Sequence, residues 1–245
     1  MAQDIHEISI VLSARSHNPT LLTFDFLKGS GVIPGDWELA RPPVLTVGSA
    51  QVIFKNGVNI VANSQTVTFS EAVTTKAFEN VEVAKIARKY VATLPNLDYQ
   101  AVGINPKRFI PFEEQPEQAH KYITETILSS GAWQNFGIAP MQAGINLVYT
   151  LERCQLRLGI NEARLRFPDR DTVPALLFAG NFYYDVTGDS AEERLQNIER
   201  SIENWQRDIA TYQELIDSQF LAGVKGNEIP IRDAVSVIPV AALKE

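Results

Sequence analysis

The chain is short of the residues from which most metal sites and nucleophilic centres are built. Of its 245 residues only one is cysteine, Cys154, so no internal disulfide can form. Three are histidines, His6, His17 and His120, far apart and without a pair at helical ligand spacing. Cys154 sits in the alternating run "LERCQLRL", where a lone thiol packs as a small apolar residue, and no cysteine-protease context surrounds it. No nucleophile elbow supports a Ser/His/Asp triad. The glycines of "KGSGVIPG" lack the lysine-serine ending and the following helix of a phosphate-binding loop, and no dinucleotide fingerprint occurs. Neither a metal nor a cofactor is expected.

Long apolar runs are missing too, so no stretch approaches membrane-spanning length. The start, "MAQDIHEISIVL", carries Asp4 and Glu7 and has no basic region leading into an apolar stretch. A soluble, cytoplasmic protein is expected. Positive charge is in deficit: the net charge is −7 and the pI about 5.1. Such a surface repels phosphate backbones and disfavours nucleic-acid binding, unless Lys107-Arg108 or Arg157, Arg164 and Arg166 build a local basic patch.

What the chain does have is an ordinary globular composition, 45% hydrophobic and 21% charged, enough for a substantial core without cross-links. "EISIVLSA" alternates as a strand, and "LLTFDFL" as a second with Leu22, Phe24 and Phe26 on one face. Two or three more strands lie in "VLTVGSAQVIFKNGVNIVANSQTVTF", where Asn56-Gly57 suits a type I′ hairpin turn. A helix is predicted over "KAFENVEVAKIARKYVATL", with Val83, Ile86, Tyr90 and Leu94 at helical spacing, ended by Pro95. "LDYQAVGIN" is again a strand, and "PKRFIPF" an extended exit.

A second helix is expected from about Glu114 to Ser130, capped by Gly131. "AGINLVYTLERCQLRLGINEARLRF" reads as alternating strands with a turn near Asn161-Glu162, "FPDRDTVP" as a loop, and "ALLFAGNFYYDVTG" as a strand with Phe178, Phe182, Tyr184 and Val186 on one face. A capping box, Ser190 and Glu193, opens a long last helix. The fold class is α+β: mostly antiparallel sheets, two mid-chain helices and a long C-terminal helix. One compact unit, 1–245, is expected, divisible into two related halves, 1–131 and 132–222, with a tail at 223–245.

Along that last helix Leu195, Ile198, Ile202, Trp205, Ile209, Tyr212 and Ile216 alternate three and four apart, a heptad seam. The seam either pairs helices from two subunits or lies on the chain's own sheet. Leu215, Phe220 and Leu221 widen the apolar face, which favours the latter. The apolar tail "AVSVIPVAAL" could dock at home or on a partner by strand addition. Asp169 with Asp171, and Asp185 with Asp189, could hold a hard cation, but aspartates in loops are turn formers first. If a polar site is hidden, Asn105, Arg166 and Asp185 are its candidates, because they stand at strand positions rather than at tips. Gly-Ile-Asn occurs at 103–105, 144–146 and 159–161 with unequal spacing, and strand-boundary chemistry is its simplest explanation.

"AVGIN" ending at Asn105, "FYYDV" with Asp185, and the helix running to Phe220 together resemble a sporadically distributed family of uncharacterised bacterial proteins of similar length. In that family the first of these strands ends in a pattern like Arg-Tyr-Ile-Asn and the later one carries Asp-hydrophobic-Asp. Here Val102 and Gly103 occupy the Arg and Tyr places, and one aspartate is present. The resemblance implies the fold and no chemistry. The function expected is binding or self-assembly, through a homo-oligomer or protein partner held by the C-terminal helix and tail. The competing expectation is a small-ligand binder or enzyme with a polar site between the halves.

Overall fold

The computed structural model describes residues 5–167 and 171–222, together with the backbone of 236–239. Ten strands form one sheet, and every strand pair in it is antiparallel. Glu7–Arg15 (β1) and Asp98–Pro111 (β6) pair at its centre. Outward from β1 come Thr66–Ala72 (β5), Val58–Asn63 (β4), Ser49–Ile53 (β3) and the two-residue Val44–Leu45 (β2). Outward from β6 come Val173–Asp185 (β9) and Gln155–Arg166 (β8). The far edge of β8 takes two partners in line: Gly144–Thr150 (β7) and Ser236–Pro239 (β10).

Side chains alternate across the pleat, so register decides which face each strand residue joins. Ile8, Ile10 and Leu12 of β1, Val102 and Ile104 of β6, Phe178 and Phe182 of β9, and Leu156, Leu158 and Ile160 of β8 share the inner face and are fully or almost fully buried. Onto that face pack Phe24–Gly29 (α1), Val83–Thr93 (α2), Gln118–Lys121 (α3), Ala191–Glu203 (α4) and Trp205–Leu215 (α5). Two π-helical turns, Tyr122–Ile127 and Ile216–Phe220, extend α3 and α5. They meet where the Tyr122 hydroxyl donates to the Phe220 carbonyl, 2.6 Å away. A smaller apolar cluster, including Phe109, Leu165 and Phe167, lies on the outer face at one end of β6, β8 and β9.

Several sequence expectations are corrected. "LLTFDFL" is not a strand: Thr23 accepts from the Phe26 N–H and caps α1, so Leu22 and Leu27 reach the core from a helical turn. At Asn56-Gly57 only Gly57 has a positive φ, +89°. The Gly57 N–H bonds back to Phe54, and the turn is a three-residue loop with a glycine bulge, not type I′. The first mid-chain helix starts at Val83 rather than Lys76, because Glu71 of β5 accepts from the N–H groups of Glu82 and Val83. The second is only α3 and its π-helical turn. Gly131, φ −164°, is extended and caps nothing before it. The hairpin turn expected at Asn161-Glu162 falls at Leu151–Cys154 instead, and both residues stand inside β8. Asp169 lies outside the described residues. The long last helix is interrupted at Asn204, between α4 and α5.

Candidate functional site

The helices cover one face of the sheet, and the other carries the most distinctive chemistry in the chain. The three Gly-Ile-Asn copies all lie within strands: 103–105 in β6, 144–146 in β7 and 159–161 in β8. In each, the isoleucine turns inward while glycine and asparagine share the outer face, as period-two alternation requires. The copies in β7 and β8 oppose each other head to tail: Gly144 faces Asn161, Ile145 faces Ile160, and Asn146 faces Gly159.

Each glycine leaves room for an amide. A β-carbon at Gly144 would meet Asn161 Oδ1 at 2.4 Å, and one at Gly103 would meet Asn181 Nδ2 at 3.2 Å. Above Gly159 the Asn161 and Asn146 amides would lie 3.3 and 3.5 Å from such a carbon. Asn181 Nδ2 donates to Asn105 Oδ1 across the β6–β9 pair. The result is a band of four amides, Asn146, Asn161, Asn181 and Asn105, half-buried or exposed. The Arg157 guanidinium, 5.3 Å over the Tyr183 ring, flanks it on one side, and the Lys107–Glu7 ion pair on the other. An amide offers donors and acceptors at fixed positions and no net charge. This band complements peptide groups or hydroxyls, not a strong anion.

The polar groups under the helices are committed to the fold. Asp208 of α5, fully buried, accepts from the Tyr184 hydroxyl and from Arg153 in the β7–β8 turn. Burial pushes its carboxyl up despite those partners. Cys154 beside them is half-buried and its thiol is raised, again chiefly by burial, which opposes a thiolate nucleophile. Glu71 joins β5 to the start of α2. His17 is buried between the Tyr90 hydroxyl and the Asn63 carbonyl. His120 pairs with Glu162 of β8 at 2.8 Å.

A cleft of about 340 Å³ lies between the Pro95–Tyr99 segment and the start of α4. At the start of α4 the N–H groups of Asp189 and Ser190 are met by Glu193 and that of Glu193 by Ser190, while Arg194 is met by Asp98 and the Tyr99 carbonyl. Asp98 and Asp189 line it, so the local charge disfavours an anion there. Among the described residues no three His, Cys, Asp or Glu side chains are grouped to hold a metal ion.

The three candidate ligand residues are not brought together. Asn105 lies in the amide band. Asp185, exposed at the end of β9, shares its face but stands four residues beyond Asn181, about 13 Å along the strand. Arg166 belongs to the opposite face of β8. No single basic patch forms either: Lys107 pairs with Glu7, Arg108 with Asp217 under the helices, and Arg164 and Arg166 share the face opposite Arg157.

The seam residues face inward. Ile198, Ile202, Trp205, Ile209, Tyr212 and Ile216 are buried and Leu195 partly so, all in the core of the sheet's own inner face. Gly180 of β9 gives Tyr212 its seat, and the Tyr212 hydroxyl donates to the Phe178 carbonyl. Their burial seats the helices on the chain's own sheet. Part of the tail, Ser236–Pro239, adds to the chain's own β8. The candidate polar site read from the sequence left out Asn146, Asn161, Asn181, Arg157 and Tyr183. The available signal was the parity of Gly and Asn, two apart on either side of an inward isoleucine.

Compared with known proteins, the chain matches no family model and no curated protein. No described helix is long and apolar enough to cross a membrane.

Proposed function

We propose that this is a non-enzymatic binding protein of the cytoplasm that holds a protein partner on the open outer face of its sheet. The observation that carries the reading is the amide band with Arg157 and Tyr183, on a face that none of the five helices covers. Small ligands favour concave sites that enclose most of their surface. A row of neutral amides spread over four strands suits a larger partner that offers peptide groups. The net charge of −7 argues against a nucleic acid as that partner. The expected binding role is thus retained and its surface moves from the helix to the sheet.

The proposal also takes the chain as two related halves. Strand order supports this: β1 is followed by α1, the β3–β4–β5 meander and α2, and β6 by α3, the β7–β8–β9 meander and α4. On that pattern the border falls near Pro95 rather than at 131. Likeness to the sporadically distributed bacterial family belongs to the same proposal and rests on the sequence pattern around Asn105, Asp185 and Phe220.

Photo-crosslinking in the source cell tests the reading. A crosslinking amino acid at Tyr183 should give a discrete adduct, diminished by Asn181→Asp with Asn105→Asp, while one at Gln196 on exposed α4 should give none. Equal adducts from both positions, or none from Tyr183, would remove the open face from consideration.

A further inference from the structure

β7 is an edge strand without the usual protection. Its sequence, "GINLVYT", has no charge, no proline and no bulge, although exposed edges in soluble proteins are normally guarded by such devices. The opposite edge of the sheet is guarded: β2 is two residues long, follows Pro42-Pro43, and stands beside Arg41, which is tied to Gln51. The Leu151 N–H donates to the Cys154 carbonyl, which sets the hydrogen-bonding phase of the hairpin. By antiparallel alternation Ile145, Leu147 and Tyr149 bond to β8, while the backbone of Gly144, Asn146, Val148 and Thr150 points outward. Among the described residues β7 pairs with β8 alone.

The side chains tell the same story. Arg153 ties the start of β8 to α5, but the helical layer does not close over β7, and Ile145, Leu147 and Tyr149 are only half-buried. On the outer face Val148 is 63% exposed. Trp133, Phe136 and Ile138, in the segment leading into β7, are exposed as well.

We propose that β7 pairs antiparallel with β7 of a second copy of this chain about a two-fold axis at Leu147, joining the two sheets into one. The strand is its own complement. Around Leu147 the inward positions are Ile145 and Tyr149, both apolar, and the outward positions place Asn146 opposite Val148 of the second copy and Gly144 opposite Thr150. About eight backbone hydrogen bonds would form, and the half-buried Ile145, Leu147 and Tyr149 would be covered by their symmetry mates. A two-fold strand pair closes after two copies, which an uncharged edge open to any strand would not ensure. The outer faces also merge, and the Asn146 side chains of both copies extend one amide band. This inference does not depend on what the outer face binds.

Sedimentation equilibrium of the full chain, with circular dichroism to verify folding, tests it. Wild-type protein should show a concentration-dependent species at twice the 27.2 kDa chain mass. Asn146→Lys with Val148→Lys sets lysine against lysine at both symmetry-related pairs and should weaken the dimer at least roughly tenfold. Asn146→Lys with Val148→Glu sets lysine against glutamate at the same pairs and should restore it. A monomeric wild type overturns the proposal. So does a lysine–lysine variant that is folded and still dimeric, or a lysine–glutamate variant that is folded and monomeric.

Discussion

Glu71 offers the sharpest test of how the inner face is held together. Its carboxylate, fully buried on β5, accepts from the Glu82 N–H at 2.8 Å and the Val83 N–H at 3.2 Å through one oxygen, and from Lys76 Nζ at 2.5 Å through the other. Glu71→Ala leaves two backbone donors at the start of α2 without an acceptor, at about 1–3 kcal/mol each. Lys76 is partly exposed and regains water, so its share is small. The sum is about 2–6 kcal/mol, a drop in Tm on the order of 10 °C for a chain of this size. Glu71→Gln keeps the oxygen that serves both N–H groups and loses only the ion pair, so about 1 kcal/mol is expected. Urea unfolding measures both, and hydrogen exchange should show the first turn of α2 opening in the alanine variant alone. If alanine costs under about 1 kcal/mol, or glutamine costs as much as alanine, the carboxylate does not set the start of α2.

Three further results are expected. His6 accepts from the Phe109 N–H at Nδ1, and burial, with Arg108 nearby, lowers its pKa from 6.5 to about 4. A base with a lowered folded pKa lends full stability above pH 6.5, and that contribution is lost as pH falls toward 4, roughly 3 kcal/mol in all. His6→Asn should flatten the stability profile over that window, and parallel profiles would refute the role. At Gly180 a β-carbon would lie 2.9 Å from the Tyr212 ring and 3.0 Å from Pro106, both rigid and buried, so Gly180→Ala should destabilise by about 1–3 kcal/mol. At Gly144 the closest atom is the swinging amide of Asn161, so Gly144→Ala should cost under about 1 kcal/mol by thermal melts, with the two glycines equal if packing is not the cause.

Local chemistry that repeats in short range was legible from the sequence. The alternation of β1 and β9, the helical spacing of α2, and the Ser190/Glu193 box are each set by neighbours within a turn or a pleat, and each appears where it was expected. "LLTFDFL" was misread because the apolar residues of so short a segment satisfy both periods, and a single threonine cap decided for the helix. The start of α2 was misplaced because its cap comes from Glu71, eleven residues earlier and on a strand.

The candidate site was less legible still. Gly-Ile-Asn shows its meaning only when register places Gly144 against Asn161 and seats Asn181 over Gly103. The heptad seam could have served a subunit or a sheet, and one residue outside the helix, Gly180, made the sheet able to receive Tyr212. The sequence by itself determined which residues alternate, where chains of apolar contact could form, and that no ready-made catalytic motif is present. Tertiary structure alone decided which face the helices cover, and so which amides remain open and which strand stands at the edge. Both depend on pairing between strands far apart in the chain, and no short-range pattern encodes that pairing.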